Sequence, residues 1–361
     1  MAEHRTATKS PNPPQSPGAA NQESTSPATD QSSEPAIEAH DDGDEGDGHE
    51  TASDTSSNAT SSLASAVRDY NFENKRRYHK FKEGRYAFPN DDAEQEREDM
   101  KDAMVVTLCG GSLHGAPLKN PQKILDIGTG TGIWAIDMGD EYPEAEITGI
   151  DLSPIQPTYV PVNVSFIVDD AEAEWLYPDD SIDYIHMRNM GPSIKDWTKL
   201  LAQAYRVLKP GGWIELQEMK WSFNCDDETM PSTYALTKMA KLVWEGLSKF
   251  GIRADPADTN PQRLMDAGFV NQAHDVKKVP FSEWPKRKDL RKIGACCKAV
   301  LYDGLHAITV GPLTRGLGWI AEEVEILLID VRKDLLNTFI HSYVFYHSIA
   351  RQKAQDTVEL A

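Results

Sequence analysis

The segment I-L-D-I-G-T-G-T-G-I-W, residues 124–134, sets Asp126 directly before a turn built from Gly128, Thr129, Gly130 and Gly132, and Asp151 closes the next apolar run, I-T-G-I-D. Glycine has no Cβ, so a turn of this kind lets backbone N–H groups approach a ligand closely. A carboxylate at the end of a second strand accepts both hydroxyls of a ribose. Together these residues describe a site for a nucleotide-type ligand. A dinucleotide fingerprint, G-x-G-x-x-G, would need glycine at the position of Ile133. It also seats a pyrophosphate on the following helix, and Asp126 beside that turn would repel the charge. A ligand with a ribose, no phosphate, and ammonium and sulfonium centres suits the turn better. S-adenosylmethionine has those groups. The bland alternative is a glycine-rich turn with no ligand.

The elements that must position these residues alternate in type. Short apolar runs predict strands near 123–128, 146–151, 164–169, 181–187 and 213–219, with helices near 132–141 and 195–208 as right-handed crossovers. V-S-F-I-V-D-D ends in Asp169 and Asp170, S-I-D-Y-I-H-M-R-N carries His186 and Arg188, and L-K-P-G-G-W-I-E-L-Q-E-M is a helix end, a turn and a strand. This is an α/β pattern with a Rossmann-like sheet. Ligands bind past the C-terminal ends of such strands, where the acids fall.

These segments resemble the class I S-adenosylmethionine-dependent methyltransferases from about Pro121 to Gln217. A narrower match lies around them: E-N-K-R-R-Y-H-K-F-K-E-G-R-Y-A-F-P-N (73–90), D-L-S-P-I-Q-P (151–157), D-D-A-E (169–172) and I-K-D-W (194–197). From about Tyr70 to Arg351 the chain is similar to the fungal LaeA-like methyltransferases. The resemblance implies S-adenosylmethionine as cofactor, with Asp126 and the glycine turn at its methionine part and Asp151 on the ribose hydroxyls. It implies Asp169 or Asp170 on the adenine amino group with the backbone of Ala171 nearby, and Leu152 and Arg188 complete the expected set. It further implies a last strand inserted antiparallel between two others. A velvet-type regulator or a related methyltransferase is the expected partner, in nucleus and cytoplasm, in control of development and secondary metabolism.

Composition bounds the rest. Residues 1–62 hold 12 acids against 2 bases, and no aromatic residue occurs before Tyr70, in a chain of net charge −20. Such a segment cannot bury enough apolar surface to order itself, so a disordered acidic tail is expected. Three Ser-Pro pairs within it (Ser10, Ser16 and Ser26) suit proline-directed phosphorylation, although such pairs are common in tails. The acidic balance argues against a broad nucleic-acid surface. The local basic run Lys75–Lys82 reads as the solvated face of a helix. Cys109, Cys225, Cys296 and Cys297 show no C-x-x-C spacing, which points to neither a zinc nor a disulfide scaffold, and no run of 18 apolar residues suggests a membrane span. Residues 63–120 are expected to form two helices lying as a lid across the turn, and residues 121–361 the methyltransferase domain, with a helical cap insert near 286–337.

The acceptor has no sequence signature. His186, Glu218, Tyr78 and His79 are the candidate bases, each equally readable as a packed or exposed structural residue, so the catalytic group stays unassigned. R-N-M-G follows the fourth strand, in place of the Asn-Pro-Pro-aromatic turn used on amides or adenine, and no catechol-type metal set is present. Three functions remain open: a regulatory methyltransferase, a biosynthetic O- or N-methyltransferase whose pocket draws on Trp284, Trp319, Tyr343 and Phe345, and a cofactor-binding scaffold without turnover.

Overall fold

The computed structural model describes residues 70–253 and 256–355; the acidic tail and its Ser-Pro pairs lie outside the described residues. The described chain opens with an antiparallel hairpin, β1 (Tyr70–Glu73) and β2 (Arg76–His79). This corrects the helix expected over the basic run. Asn74 and Lys75 form the turn with φ of 49° and 62°, the left-handed pair that matches strand twist. Arg76 reaches back to Asp91 at 2.8 Å, and Asp91 caps α1 (Asp92–Leu108) by accepting the Glu94 N–H at 3.1 Å. Among the described residues of 63–120 there is one helix, where two were expected. It is unusual in burying charge: Glu94, Arg97 and Asp102 are as buried as Met104 and Val105.

The centre is a sheet of β3 (Lys123–Ile127), β4 (Glu146–Asp151), β5 (Val164–Val168), β6 (Ile182–Arg188) and β7 (Leu208–Asn224), all parallel. Beyond β7 come β8 (Val270–Pro280) and β9 (Tyr343–Gln352), in the order β5-β4-β3-β6-β7-β9-β8. β9 pairs antiparallel with both β7 and β8, so the last strand does insert between two others. The strand order reverses at β3, which opens a crevice past its C-terminal end, where the glycine turn begins. β7 starts earlier than its sequence suggests. The Pro210-Gly211-Gly212 turn survives as an irregularity in its pairing with β6.

The crossovers α2 (Ile133–Glu141) and α3 (Trp197–Val207) cover the sheet, α3 through the stripe Trp197, Leu200, Leu201, Ala204 and Val207. Helices α4 (Ala235–Ser248), α5 (Pro256–Asp266), α6 (Lys288–Gly311) and α7 (Ala321–Leu335) follow. α4, α6 and α7 share one core with α1, including Met104, Met239, Leu305 and Leu328. Fully burying each such side chain stabilises the fold by about 2 kcal/mol. With the turn after it, α6 is long and apolar enough to cross a membrane, but 56% of that window is buried inside the fold, as in a core helix.

Candidate active site

β3 delivers Asp126 to the head of the crevice, 3% exposed. Its carboxylate is already engaged: Oδ1 lies 2.8 Å from His186 Nδ1 on neighbouring β6, and Oδ2 accepts the Thr129 hydroxyl at 2.6 Å. His186 in turn stacks flat on Trp134, with ring centroids 3.7 Å apart. Asp126 thus braces the turn from below. The turn is also pinned to β4, because the N–H groups of Gly128 and Thr129 both donate to the Ile150 carbonyl, at 2.8 and 3.0 Å. A Cβ on Gly128 would sit 2.1 Å from Met190 Sδ, so only glycine allows the approach. A Cβ on Gly130 would meet nothing within 4 Å, and φ is +59°: its α-carbon borders open space in the cleft. Gly132 serves as the left-handed N-cap of α2 and does not line the cleft.

Asp151, at the end of β4, accepts the Gly130 N–H on Oδ2 at 2.9 Å and the Ser153 N–H on Oδ1 at 2.8 Å. Burial pushes its pKa up to about 6 despite those donors. A half-buried carboxylate held by backbone N–H groups, beside a glycine that leaves space, fits a ligand offering hydroxyl donors. Gln156 was not singled out in the sequence, yet its Nε2 donates to the Gly130 and Ser153 carbonyls at 2.6 and 3.0 Å and so locks the same turn. The unusual D-L-S-P-I-Q-P run was its available signal.

Asp169, Asp170, Ala171 and Leu152 also line the cleft. Asp169 Oδ1 accepts the Asp170 N–H at 2.7 Å. Asp170 is taken up by Lys82 at 3.0 Å and by the Glu172 N–H at 2.9 Å, while Arg85 bridges to Glu172 at 2.5 Å. The D-D-A-E run therefore ties the segment before α1 to the sheet. Arg188 reaches the cleft from β6 and pairs with Asp102 of α1, and Asp99 of the same helix accepts the Thr131 hydroxyl at 2.6 Å. The charge buried on α1 is paired: Asp102 answers Arg188, while Glu94 and Arg97 bond each other along the helix.

Asp126, Gly128, Gly130, Asp151, Asp169 and Arg188 open on one cleft of about 290 Å³. Glu218 and His186 line it, whereas Tyr78 and His79 face a separate hollow beside Arg315. Trp284, Trp319, Tyr343 and Phe345 do not line it, contrary to expectation. Tyr343 donates to Asp226 and Trp284 stacks on His341, because strand alternation turns Val344, and not its neighbours, toward the cleft. The inner wall comes instead from Trp221, Val243, Trp244, Leu247, Phe281 and Leu301.

A sheet of this order, with a glycine turn after its first parallel strand and a carboxylate after its second, defines a class I S-adenosylmethionine-dependent methyltransferase. Residues 95–274 match a family model described as a methyltransferase domain. The chain is 41% identical to the methyltransferase pytC of Aspergillus terreus, over 83% of this chain and 93% of that one. It is 37% identical to a secondary metabolism regulator of Cochliobolus heterostrophus (78% and 94% covered) and 32% identical to the protein-methionine methyltransferase laeA of Emericella nidulans (78% and 76%). The chain belongs to the LaeA-like family of S-adenosylmethionine-dependent methyltransferases.

Proposed function

We propose that this methyltransferase controls secondary metabolism from within a regulatory assembly, with a velvet-type regulator or a related methyltransferase as partner, in nucleus and cytoplasm. The single observation that carries the enzymatic part is the cradle of Asp151 and Gly130, a half-buried carboxylate fixed by backbone donors next to open space. The regulatory part is supported by the secondary metabolism regulators among the relatives.

In this reading Asp151 accepts the two ribose hydroxyls, and the backbone of Gly128, Thr129 and Gly130 borders the methionine part. Asp169 is the nearer choice for the adenine amino group, beside Leu152 and Ala171, because Asp170 is already paired with Lys82. Asp126 acts through Thr129 and His186, fixing the turn and supplying negative potential beneath it. Arg188, neutralised by Asp102, holds α1 over the cleft. S-adenosylmethionine supplies an electrophilic methyl group on a sulfonium. The protein's part is to position the acceptor in line and exclude water, which α1 and the apolar inner wall do.

The test is incubation of the full-length chain with methyl-labelled S-adenosylmethionine and extract of its native organism, beside a Gly130→Trp, Asp151→Ala control. Label in a macromolecule or an extractable metabolite, absent from the control, supports turnover. Cofactor binding with no label in either fraction overturns it and leaves a scaffold. Recovery of the partner with the tagged chain tests the assembly; recovery of no nuclear or transcriptional protein counts against it.

A further inference from the structure

Past the cofactor end, the apolar inner wall of the cleft encloses a chamber. Val243 and Leu247 of α4, Leu301 of α6, Phe281 and Val344 wall it, all buried, and the half-buried Trp221 and Trp244 complete it. A peptide inserted among these side chains would leave its own N–H and C=O groups unpaired. A flat apolar ring carries no such groups and gains from every contact.

Glu218 is among the carboxyls that line the cleft, with Glu94, Glu98 and Asp102 of α1. Glu218, on β7, is 4% exposed and is held by the backbone N–H of Gly191 at 3.0 Å and by that of Met190. Burial pushes it up to about 8, against the opposing pull of these donors, of Lys101 on α1 and of Arg263 on α5. A group so placed changes charge in the range where phenols and enols begin to ionise.

We propose that the chamber takes a ring-bearing, apolar small molecule with a phenol or enol hydroxyl, and that Glu218 receives the hydroxyl proton as the methyl group is transferred. The proposal rests on the methyltransferase reading. A lone pair of the hydroxyl oxygen forms the new C–O bond, and the methyl–sulfur bond breaks with its electrons to sulfur. The proton passes to the Glu218 carboxylate and from there to water. The products are a methyl ether, a neutral thioether and, after release, one proton.

The test uses the full-length chain loaded with S-adenosylhomocysteine and 2-naphthol as probe, read by quenching of tryptophan fluorescence. Saturable binding is expected. Val243→Phe, which narrows the chamber, should weaken it about tenfold while S-adenosylhomocysteine affinity is retained, which certifies folding. Methyl transfer to the probe should rise as pH climbs through about 8. Glu218→Gln should bind the probe within about threefold of the parent, lose about 100-fold in transfer and lose the pH rise, with Glu218→Asp recovering part of both. A chain that binds S-adenosylhomocysteine but not the probe overturns the acceptor class. Binding without transfer, or an unchanged pH profile in Glu218→Gln, overturns the role of Glu218. Failure to bind S-adenosylhomocysteine would instead remove the methyltransferase reading on which the proposal stands.

Discussion

The two ends of the cleft are made in different ways. The cofactor end is polar and largely local: Asp126, the glycine turn and Asp151 lie within 26 residues, and the bonds of Asp126 to Thr129 and His186 and of Gly130 to Asp151 close within that stretch or onto an adjacent strand. The inner end is apolar and assembled from α4, α6, β7 and β9, across more than a hundred residues of chain. Polar fit needs fixed donors and acceptors, so it draws on backbone at strand ends. Apolar fit needs only volume and surface, which many combinations of side chains supply. In the proposed reading the cofactor end is therefore the constrained half of the cleft and the inner end the half whose side chains can differ with the acceptor.

That contrast can be broken. Gly130→Trp fills the space beside Asp151 and strains a left-handed φ, so calorimetry should detect no S-adenosylhomocysteine binding while circular dichroism stays native. Binding that persists would move the cofactor out of this end. Asp102→Ala strands Arg188 in a buried position and should cost about 3 kcal/mol in denaturant unfolding, the range for breaking a buried pair. A loss below about 1 kcal/mol would mean that the pair behaves as a surface contact. Asp151→Ala removes the acceptor for two hydroxyls and should weaken cofactor binding by about 10- to 100-fold, with no change in 2-naphthol binding if the two ends are independent.

The smallest expected effect is in pH. Asp151 is pushed up to about 6 by burial, so lowering the pH from 7 to 5 protonates it and should reduce cofactor affinity by about tenfold, and Asp151→Asn should flatten that response. The stability sign is opposite. A carboxylate raised above its unfolded value contributes stability that is fully present below about 4 and is lost as pH rises through 6. The free protein should therefore lose this contribution between pH 4 and 6, and thermal melts across that range check it.

The inner end was misread from sequence because aromatic residues were weighed by type and not by direction. Trp284 and Tyr343 look like pocket residues on paper, but Tyr343 is buried away from the cleft with its hydroxyl on Asp226, and Trp284 stacks on His341. The hairpin was misread for a related reason. Its basic and aromatic residues fit both a helical face and an alternating strand, and the Asn74-Lys75 turn decides between them only through φ values that no residue type dictates.

Residue types and spacing alone determined the α/β class, the cofactor turn and its acidic partners, because a turn that must approach a ligand demands glycine and a strand end that binds hydroxyls demands a carboxylate. Tertiary structure decided what those acids are free to do. Asp126 and Asp170 look equivalent to Asp151 in the sequence, yet His186 and Lys82, brought from 60 and 88 residues away, have already claimed them. Of these three, Asp151 is the one held by backbone donors without a charged partner, since pairing between charged groups depends on distance through space and not along the chain.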